Sequence, residues 1–244
     1  MLPNTQAGIE YWNTQPANLD GVLGGYGSGS LPRIDSLGSR LFLLNIYPQL
    51  STVPSAFRPL DAPLNPPRTR ALDVGAGIGR VTADVLLHLV SDVVLLEPVD
   101  SFVQEALSRA RNSAADTQTS VKSSWPGLSD QTKSPPRPAD EIGTGFDVIW
   151  CQWCLGHLSD ADLVLFLRRC HESLNKHPKS VIVVKENICS EAADGSEQSV
   201  FDDQDSSLTR SDRVWKRVFE QAGLRLMREQ IQGGLPEGLF VVKM

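Results

Sequence analysis

The stretch RALDVGAGIGR, residues 70–80, decides the fold of this chain. Its first five residues are a short apolar run typical of a buried strand, and residues 80–90 have the spacing of a helix. Between them stand Gly75, Gly77 and Gly79. Glycines in this place permit a sharp turn and let a ligand approach the backbone, and the start of the next helix offers unpaired N–H groups. The stretch therefore predicts a site for a nucleotide-like ligand.

The spacing of these glycines narrows the choice of ligand. A dinucleotide-binding loop, G-x-G-x-x-G, would need a glycine at position 80, where this chain has Arg80. The pattern D-x-G-x-G-x-G from Asp73 to Gly79 resembles instead the S-adenosylmethionine loop of class I methyltransferases. Glu97 ends the next strand and is placed to accept both ribose hydroxyls, a feature that NAD enzymes share. Arg80 can pair with the carboxylate of the methionine moiety.

Predicted strands and helices alternate along the chain from this loop onward. The apolar runs that predict strands are 70–74, 92–97, 146–151 and 180–186, followed by two strand-like runs at 224–231 and 238–244. The runs with helical spacing are 80–90, 101–111, 160–174 and 208–222. This alternation predicts right-handed βαβ units and a mostly parallel sheet. With one further strand around Val121–Trp125, we expect the seven-stranded, Rossmann-like α/β fold of class I methyltransferases, with helices on both faces.

The residues before this core, 1–69, form an N-terminal segment that we expect to belong to the same domain as residues 70–244. Residues 9–30 are aromatic and glycine-rich, so they cannot form one regular helix, and they suit a cover segment folded over a site. A helix is predicted from a Ser36 cap to Pro48. Residues 52–68 are proline-rich and are interpreted as a linker.

One block does not follow the alternation of strands and helices. Residues 112–145 are rich in Ser, Thr, Pro and Asp and contain few apolar side chains. Such a composition cannot bury enough apolar surface to form a core. We therefore interpret most of this block as a mobile insertion in a surface loop.

Composition limits the class of protein further. The chain has 244 residues, 41% of them hydrophobic, and a formal net charge of −6, which argues against nucleic-acid binding. It has neither a signal-peptide pattern nor an apolar run near the roughly 20 residues that span a membrane, so we expect a cytoplasmic or nuclear protein. Cys151 and Cys154 form a C-x-x-C pattern without a second pair, so we expect free thiols and no metal site.

Beyond the glycine loop, the chain resembles the α-N-terminal protein methyltransferases almost from end to end. The aromatic and glycine-rich N-terminal stretch and the pattern W-C-Q-W-x-x-G-H are more specific than the loop itself. The matching segments are YWNTQPANLDGVLGGYG (11–27), ALDVGAGIGRVT (71–82), FDVIWCQWCLGHLSDADLVLFLRRC (146–170), VIVVKENI (181–188), DDQDSSLTR (202–210) and LPEGLF (235–240).

The resemblance implies S-adenosyl-L-methionine as cofactor and peptides with a free X-Pro-Lys or X-Pro-Arg N-terminus as substrate. It places the cofactor against a set of residues to which we add Gly77 of the same loop and the pair that follows Glu97: Gly75, Gly77, Arg80, Glu97, Pro98, Val99, Leu128 and Gln152. It places the peptide channel against another set: Trp12, Leu23, Trp153, His157, Asn187, Asp202, Asp205, Ser207 and Phe240.

The residues themselves agree with such a substrate. A tryptophan face packs well on a proline ring, and Asp202 and Asp205 can pair with a cation that follows it. The α-amine must lose a proton before it attacks, and Asp205 and His157 are both candidate acceptors, with Asn187 orienting the nitrogen. Repeated reaction at one amine would give di- or trimethylation.

Three other functions remain open at this point. A small-molecule methyltransferase of the same fold would use the same glycine loop but would not need the acidic residues of 202–205. A non-catalytic adaptor would bind the cofactor and protein N-termini without turnover. An NAD dehydrogenase is disfavoured by Arg80. We expect a monomer or a weak homodimer that binds neither nucleic acid nor membrane.

Overall fold

The computed structural model describes residues 1–51, 68–115 and 145–244. The strands in these ranges are β1 (Arg70–Val74), β2 (Asp92–Leu96), β3 (Val148–Gln152), β4 (Val181–Cys189), β5 (Ser199–Asp202), β6 (Ser207–Ser211) and β7 (Val241–Lys243). The helices are α1 (Thr5–Thr14), α2 (Leu19–Val22), α3 (Leu31–Ile46), α4 (Arg80–Asp84), α5 (Asp100–Ala115), α6 (Asp160–Glu172) and α7 (Asp212–Gln221). None of these helices is long and apolar enough to cross a membrane.

The seven described strands form one sheet in the order β2-β1-β3-β4-β6-β5, with β7 on β4. The pairs β1–β2, β1–β3, β3–β4 and β4–β6 are parallel, whereas β5–β6 and β4–β7 are antiparallel. The expectation of a mostly parallel α/β sheet is confirmed. The carboxyl ends of β1, β2 and β3 meet at one edge, where sheets of this kind place their ligands.

The core lies on both faces of the sheet because successive residues of a strand point to opposite sides. Val148 and Trp150 of β3 pack in one cluster with Leu43 of α3. Ile149 of the same strand packs in the other cluster with Leu163 of α6. Helices therefore cover both faces, as expected. The four cysteines are free: Cys151, Cys154, Cys170 and Cys189.

The N-terminal segment differs from its prediction at one helix start. Helix α3 begins at Leu31 rather than after Ser36, and Ser36 lies inside it, with its hydroxyl donating to the carbonyl of Pro32 at 2.8 Å. Pro32 suits the first turn because that position needs no backbone N–H. The helix ends before Pro48, as predicted. Residues 9–30 are not one helix, also as predicted, since α1 and α2 divide them.

Two further boundaries differ in the middle of the chain. The helix predicted over 80–90 is interrupted at Val85 and continues only as a short 3₁₀ turn, Leu86–His88. Helix α5 extends to Ala115, so the predicted insertion cannot begin at residue 112. Alanines near that end favour helix over loop. The proposed strand at Val121–Trp125 and the linker up to residue 67 lie outside the described residues.

The C-terminal third contains the largest error. The helix predicted over 208–222 begins only at Asp212, because Ser207–Ser211 is strand β6, paired with β5 in a hairpin that the sequence pattern did not predict. Backbone pairing with a neighbouring strand overrides local propensity here. Residues 224–231, which were predicted to be strand-like, form only an isolated β-bridge at Ile231. Within the other predicted run, 238–244, only β7 is a strand.

Candidate active site

A cavity of about 290 Å³ opens at the carboxyl ends of β1, β2 and β3. Its walls come from the glycine loop, from the residues that follow β2, from the turn that follows β3 and from helix α1. Ten of the residues predicted to bind cofactor or peptide line it: Trp12, Gly75, Gly77, Arg80, Glu97, Pro98, Val99, Gln152, Trp153 and His157. The structure therefore brings together residues that are up to 145 positions apart in sequence.

The glycine loop brings the backbone directly to the cavity. Gly75 and Gly77 have φ angles of +61° and +54°, a conformation that other residues rarely adopt. A Cβ atom at Gly75 would overlap the side chain of Cys154. At Gly77 a Cβ atom would meet only a methyl group of Val22, at 3.8 Å. The first glycine is thus required by packing, whereas the second leaves open space for a ligand.

Glu97 is fixed at the opposite side of the loop. Its Oε2 accepts the N–H of Gly77 at 2.7 Å, and its Oε1 accepts the N–H of Val99 at 2.9 Å. Burial raises the pKa of Glu97, and the two N–H donors partly offset this effect. Each carboxylate oxygen retains a lone pair for a ribose hydroxyl. Apolar side chains beside it, Ile78 and Phe102, suit an adenine ring, so the residues present fit S-adenosylmethionine.

The polar residues at the other end of the cavity meet a carboxylate that the sequence analysis did not identify. Asp35 of α3 accepts Nη1 of Arg80 at 2.6 Å and Nε2 of Gln152 at 2.9 and 3.0 Å. The guanidinium carbon of Arg80 also lies 5.6 Å from the ring centre of Trp153. Asp35 therefore connects two predicted cofactor residues to the N-terminal helix.

A second cation completes this buried cluster. Nζ of Lys185 lies 2.6 Å from Oδ1 of Asp35 and donates to Ser39 at 2.9 Å. Burial lowers the pKa of Lys185. Burial also raises the pKa of Asp35, but its two ion pairs, with Arg80 and Lys185, outweigh this effect and leave it below the ordinary value. The one sequence signal for the cluster was a lysine inside the apolar run 180–186, since lysine is almost never buried unpaired.

His157 is held by the N-terminal helix. Its Nε2 accepts the indole N–H of Trp12 at 3.0 Å, and its backbone carbonyl accepts the hydroxyl of Thr5 at 3.3 Å. A Cβ atom at Gly8 would lie 2.7 Å from Nδ1 of His157. Because a neutral imidazole has one acceptor and one donor nitrogen, this arrangement puts the proton on Nδ1.

The loop between β5 and β6 contacts the start of the same helix. Ser206 has a φ angle of +56°, and its hydroxyl accepts the N–H of Asn4 at 2.9 Å. The backbone carbonyl of Asp205 would lie 3.3 Å from a Cβ atom at Gly8. Asp205 itself does not line the cavity but lies against a residue that does. Ser206 was not among the predicted site residues.

Three predicted peptide-binding side chains have buried polar atoms without a hydrogen-bond partner among the described residues. They are Nε1 of Trp153, Nδ1 of His157 and Oδ1 of Asp205. Buried polar atoms are nearly always satisfied in native proteins, so each exception needs a reason. A polar ligand that supplies the missing partners is such a reason.

The remaining predicted residues that the structure describes do not line the cavity. Asn187 lies on β4 opposite Val242, and Ser207 begins β6 opposite Asp202. Asp202 is exposed, and its Oδ1 accepts the N–H of Gln204 at 2.9 Å. Three others complete the set: Leu23 is buried, Phe240 is 49% exposed and Leu128 lies outside the described residues.

Glu186 is a further residue that the sequence analysis missed. Its Oε1 accepts the backbone N–H groups of Cys154 and Leu155, each at 2.9 Å. These two groups belong to the turn in which Trp153 has an unusual φ angle of +53°. Such a backbone conformation costs on the order of 1–3 kcal/mol and persists only where neighbours hold it. Glu186 therefore supports the turn that presents Trp153 to the cavity.

The burial of Glu186 predicts a pH-dependent stability. Burial raises the pKa of Glu186 to about 7. Its contribution to stability is complete below its unfolded pKa of about 4.3 and is lost as the pH rises through the folded pKa. Glu186→Gln does not titrate, so between about pH 5 and pH 8 the wild type should lose about 2 to 3 kcal/mol more of its unfolding free energy than the variant. Urea unfolding measures this difference.

Asp73 is a second buried carboxyl that could titrate in this range, because burial raises its pKa to about 6. It is present in both proteins, so its contribution cancels in the comparison. Identical pH dependence would contradict the assignment.

The fold and the cavity together define a class of protein. These features are those of a class I S-adenosylmethionine-dependent methyltransferase: a mostly parallel sheet, a D-x-G-x-G-x-G loop, a carboxylate at the end of the next strand and an apolar wall beside it. In the described ranges, no group of three or more His, Cys, Asp or Glu side chains is arranged so that it could hold a metal ion.

Comparisons with known proteins identify the family. The model of the AdoMet dependent proline di-methyltransferases matches residues 4–244. Alpha N-terminal protein methyltransferase 1 of Schizosaccharomyces pombe is 38% identical over 236 residues, which make up 97% of this chain and 92% of that protein. N-terminal Xaa-Pro-Lys N-methyltransferase 1 of Xenopus tropicalis is 34% identical over 234 residues, 96% of this chain and 90% of that protein. A solved SAM-dependent methyltransferase of Leishmania major has a TM-score of 0.69 at 31% identity and covers 98% of this chain and 80% of its own.

This chain therefore belongs to the alpha N-terminal protein methyltransferases, the AdoMet-dependent proline di-methyltransferase family. It is an S-adenosylmethionine-dependent enzyme that methylates protein N-termini. The family, the cofactor and the enzyme class predicted from the sequence are confirmed. The roles of individual site residues stay predictions.

Proposed function

We propose that this methyltransferase acts on the free α-amino group of proteins whose mature chain begins X-Pro-Lys or X-Pro-Arg. The name of the Xenopus relative specifies an Xaa-Pro-Lys N-terminus, and the description of the matching family specifies proline dimethylation. A methylated amine still carries a lone pair, so the same site can react again. We infer that the product is di- or trimethylated.

The cofactor end of the cavity is built for a nucleoside with an amino-acid tail. Glu97 would accept the two ribose hydroxyls, the open space at Gly77 would admit the ligand to the backbone, and Arg80 would meet the carboxylate of the tail. Pro98 and Val99 complete the apolar wall. The bound sulfonium supplies an already activated methyl group. The protein has to position the amine and remove its proton, and positioning contributes most to the rate.

The single observation that carries the peptide site is the set of three unpartnered polar atoms on Trp153, His157 and Asp205. An N-terminal peptide offers an ammonium group for the carboxylate and carbonyl oxygens for the two N–H donors. The ring of Trp153 can pack on the proline. Asp202 is exposed, as a partner for a long cationic side chain at the third position has to be.

The geometry favours Asp205 over His157 as proton acceptor. Nε2 of His157 already accepts a hydrogen bond from Trp12, and its other nitrogen carries the proton. His157 therefore acts as a donor that orients the peptide, whereas the free oxygen of Asp205 attracts the ammonium group and accepts its proton. Asn187, on β4, is proposed to orient the nitrogen of the substrate amine.

Blocking the amine tests the proposed nucleophile. A synthetic X-Pro-Lys peptide should be methylated, whereas the same peptide with an acetylated N-terminus should give no product, because an amide nitrogen has no available lone pair. Mass spectrometry with isotope-labelled cofactor measures both reactions and counts the methyl groups transferred. Free amines and catechols serve as controls for a small-molecule enzyme. Methylation of the acetylated peptide would move the reaction to the lysine side chain and contradict the proposal.

A further inference from the structure

A buried carboxylate on α3 controls two side chains at the cofactor end of the cavity. Asp35 has 0% exposure and lies 45 positions before Arg80 in sequence. It does not line the cavity, whereas Arg80 and Gln152 do. Its Oδ2 accepts a hydrogen bond from Arg80 at 2.6 Å, and its two oxygens accept hydrogen bonds from Gln152 at 2.9 and 3.0 Å. A ligand at this end of the cavity would therefore contact the side chains of Arg80 and Gln152, whose orientations are fixed by Asp35.

The orientation of Gln152 is fully determined by these contacts. Its Oε1 accepts the indole N–H of Trp150 at 3.1 Å, and its Nε2 donates to Asp35. Arg80 is pinned at Nη1, while its Nε and Nη2 form no hydrogen bond with the described residues. A guanidinium has five N–H donors in a rigid fork. Pinning one nitrogen of Arg80 thus aims the others, and an anion is the natural partner for them.

The charge of the cluster favours the same ligand group. Asp35 contributes one negative charge, and Arg80 and Lys185 contribute two positive charges, so the three residues together carry +1. The side chain of Lys185 is 0% exposed and that of Arg80 only 6% exposed. Asp73, which is buried and interacts electrostatically with Arg80, offsets part of this positive charge. A carboxylate that enters the cavity beside Arg80 would offset more of it, and burying a charge without such a partner is costly.

We propose that Asp35 is a positioning residue for cofactor binding, which aligns Arg80 and Gln152 so that the guanidinium meets the carboxylate of the methionine moiety. This inference rests on the proposed contact between Arg80 and that carboxylate. Asp35 acts through Arg80 and does not touch the ligand. Helix α3 of the N-terminal segment then completes the cofactor site of the sheet.

Two ligands distinguish a loss of Arg80 positioning from a general structural defect of the cofactor site. S-adenosylhomocysteine has the amino-acid tail, and 5′-methylthioadenosine has the same nucleoside without it. Asp35→Asn keeps the size of the side chain but removes the carboxylate that holds Arg80 in place. The cluster becomes more positive, which by itself would favour an anionic tail, so the expected loss of affinity for S-adenosylhomocysteine, about tenfold or greater in calorimetry, would report the lost alignment of Arg80. The affinity for 5′-methylthioadenosine should not change. A purely structural defect would weaken both ligands equally.

A second variant covers the case in which Asp35→Asn fails to fold. The single substitution leaves Lys185 buried without its carboxylate, which is strongly destabilising. Adding Lys185→Met removes this ammonium group and restores the net charge of the cluster to +1, carried by Arg80 alone. The double variant should fold and still lose affinity only for the ligand with the tail. Asp194→Asn, on an exposed loop, is the matched control and should bind both ligands normally.

Arg80→Gln distinguishes the inference from the proposal on which it rests. If Arg80→Gln weakens both ligands equally, Arg80 does not bind the tail, and both the contact and the role of Asp35 are overturned. If Arg80→Gln is selective for the tail but the Asp35 variants are not, the contact stands and the role of Asp35 is overturned. Selective loss in all three variants supports both.

Discussion

Asp205→Asn should lower kcat by about 10²–10⁴-fold, the range expected for a lost general base. Asparagine keeps the shape of the side chain but removes the charge that attracts the ammonium group and the basicity that accepts its proton. An α-amine has a pKa of about 7.7–8.0, so much of the substrate is protonated at neutral pH. The defect should therefore shrink as the pH rises above about 8 and the free amine becomes abundant. Steady-state kinetics across this pH range measure it.

The same loop offers a matched control. Asp203 is exposed and close in sequence, so Asp203→Asn changes the charge of the loop equally but should retain nearly full kcat. Cofactor affinity should remain normal in both variants, because neither Asp203 nor Asp205 is among the residues around the glycine loop that are proposed to hold the cofactor. His157→Asn should raise KM more than it lowers kcat if the ring orients the peptide. If the defect of Asp205→Asn does not vary with pH, Asp205 positions the amine but does not accept its proton.

Gly77→Val should abolish measurable binding of S-adenosylhomocysteine. Gly77 has a φ angle of +54°, which a β-branched residue adopts only under strain. Its side chain would enter the space that lies open toward Val22 and would displace the ligand. It would also disturb the N–H group that holds Glu97 at 2.7 Å, so both sides of the nucleoside site would change. Calorimetry on the folded variant is the measurement.

The control for Gly77→Val is Gly223→Val, which introduces a similar backbone strain at another glycine with a positive φ angle. Gly223 follows α7, has a φ angle of +76° and has nothing within 4 Å of a Cβ position. Gly223→Val should lower the thermal midpoint through backbone strain of about 1–3 kcal/mol. It should nevertheless bind the ligand normally. Normal binding by folded Gly77→Val would exclude the loop as the cofactor site.

The parts of the fold that the sequence predicted correctly are those whose signal is local. A strand, three glycines and a helix occupy adjacent positions at 70–84, and β2, β3 and β4 each contain a continuous apolar run. Glu97 and Arg80 could be assigned because each stands at a fixed offset from the loop. Periodicity and turn chemistry carry this information without knowledge of the rest of the chain.

The parts that were missed depend on contacts between distant segments. The hairpin β5–β6 has no apolar alternation, and β6 also pairs with the end of β4, a segment distant in sequence. Asp35 looked like one charge on a predicted helix, and only its contacts with Arg80 and Lys185 reveal its importance. The unsatisfied atoms of the peptide site likewise appear only in three dimensions.

The ion cluster under α3 also limits the modularity of this enzyme. A loop-and-sheet core is often regarded as an interchangeable part, to which a family adds its own N-terminal extension. Here Lys185, in the middle of the sheet, has its only counter-ion among the described residues on that extension, at Asp35. A chimera that exchanges residues 1–50 would leave the ammonium group of Lys185 buried without its counter-ion, unless position 185 changes as well. The two regions are therefore constrained to diverge together, as one inherited unit.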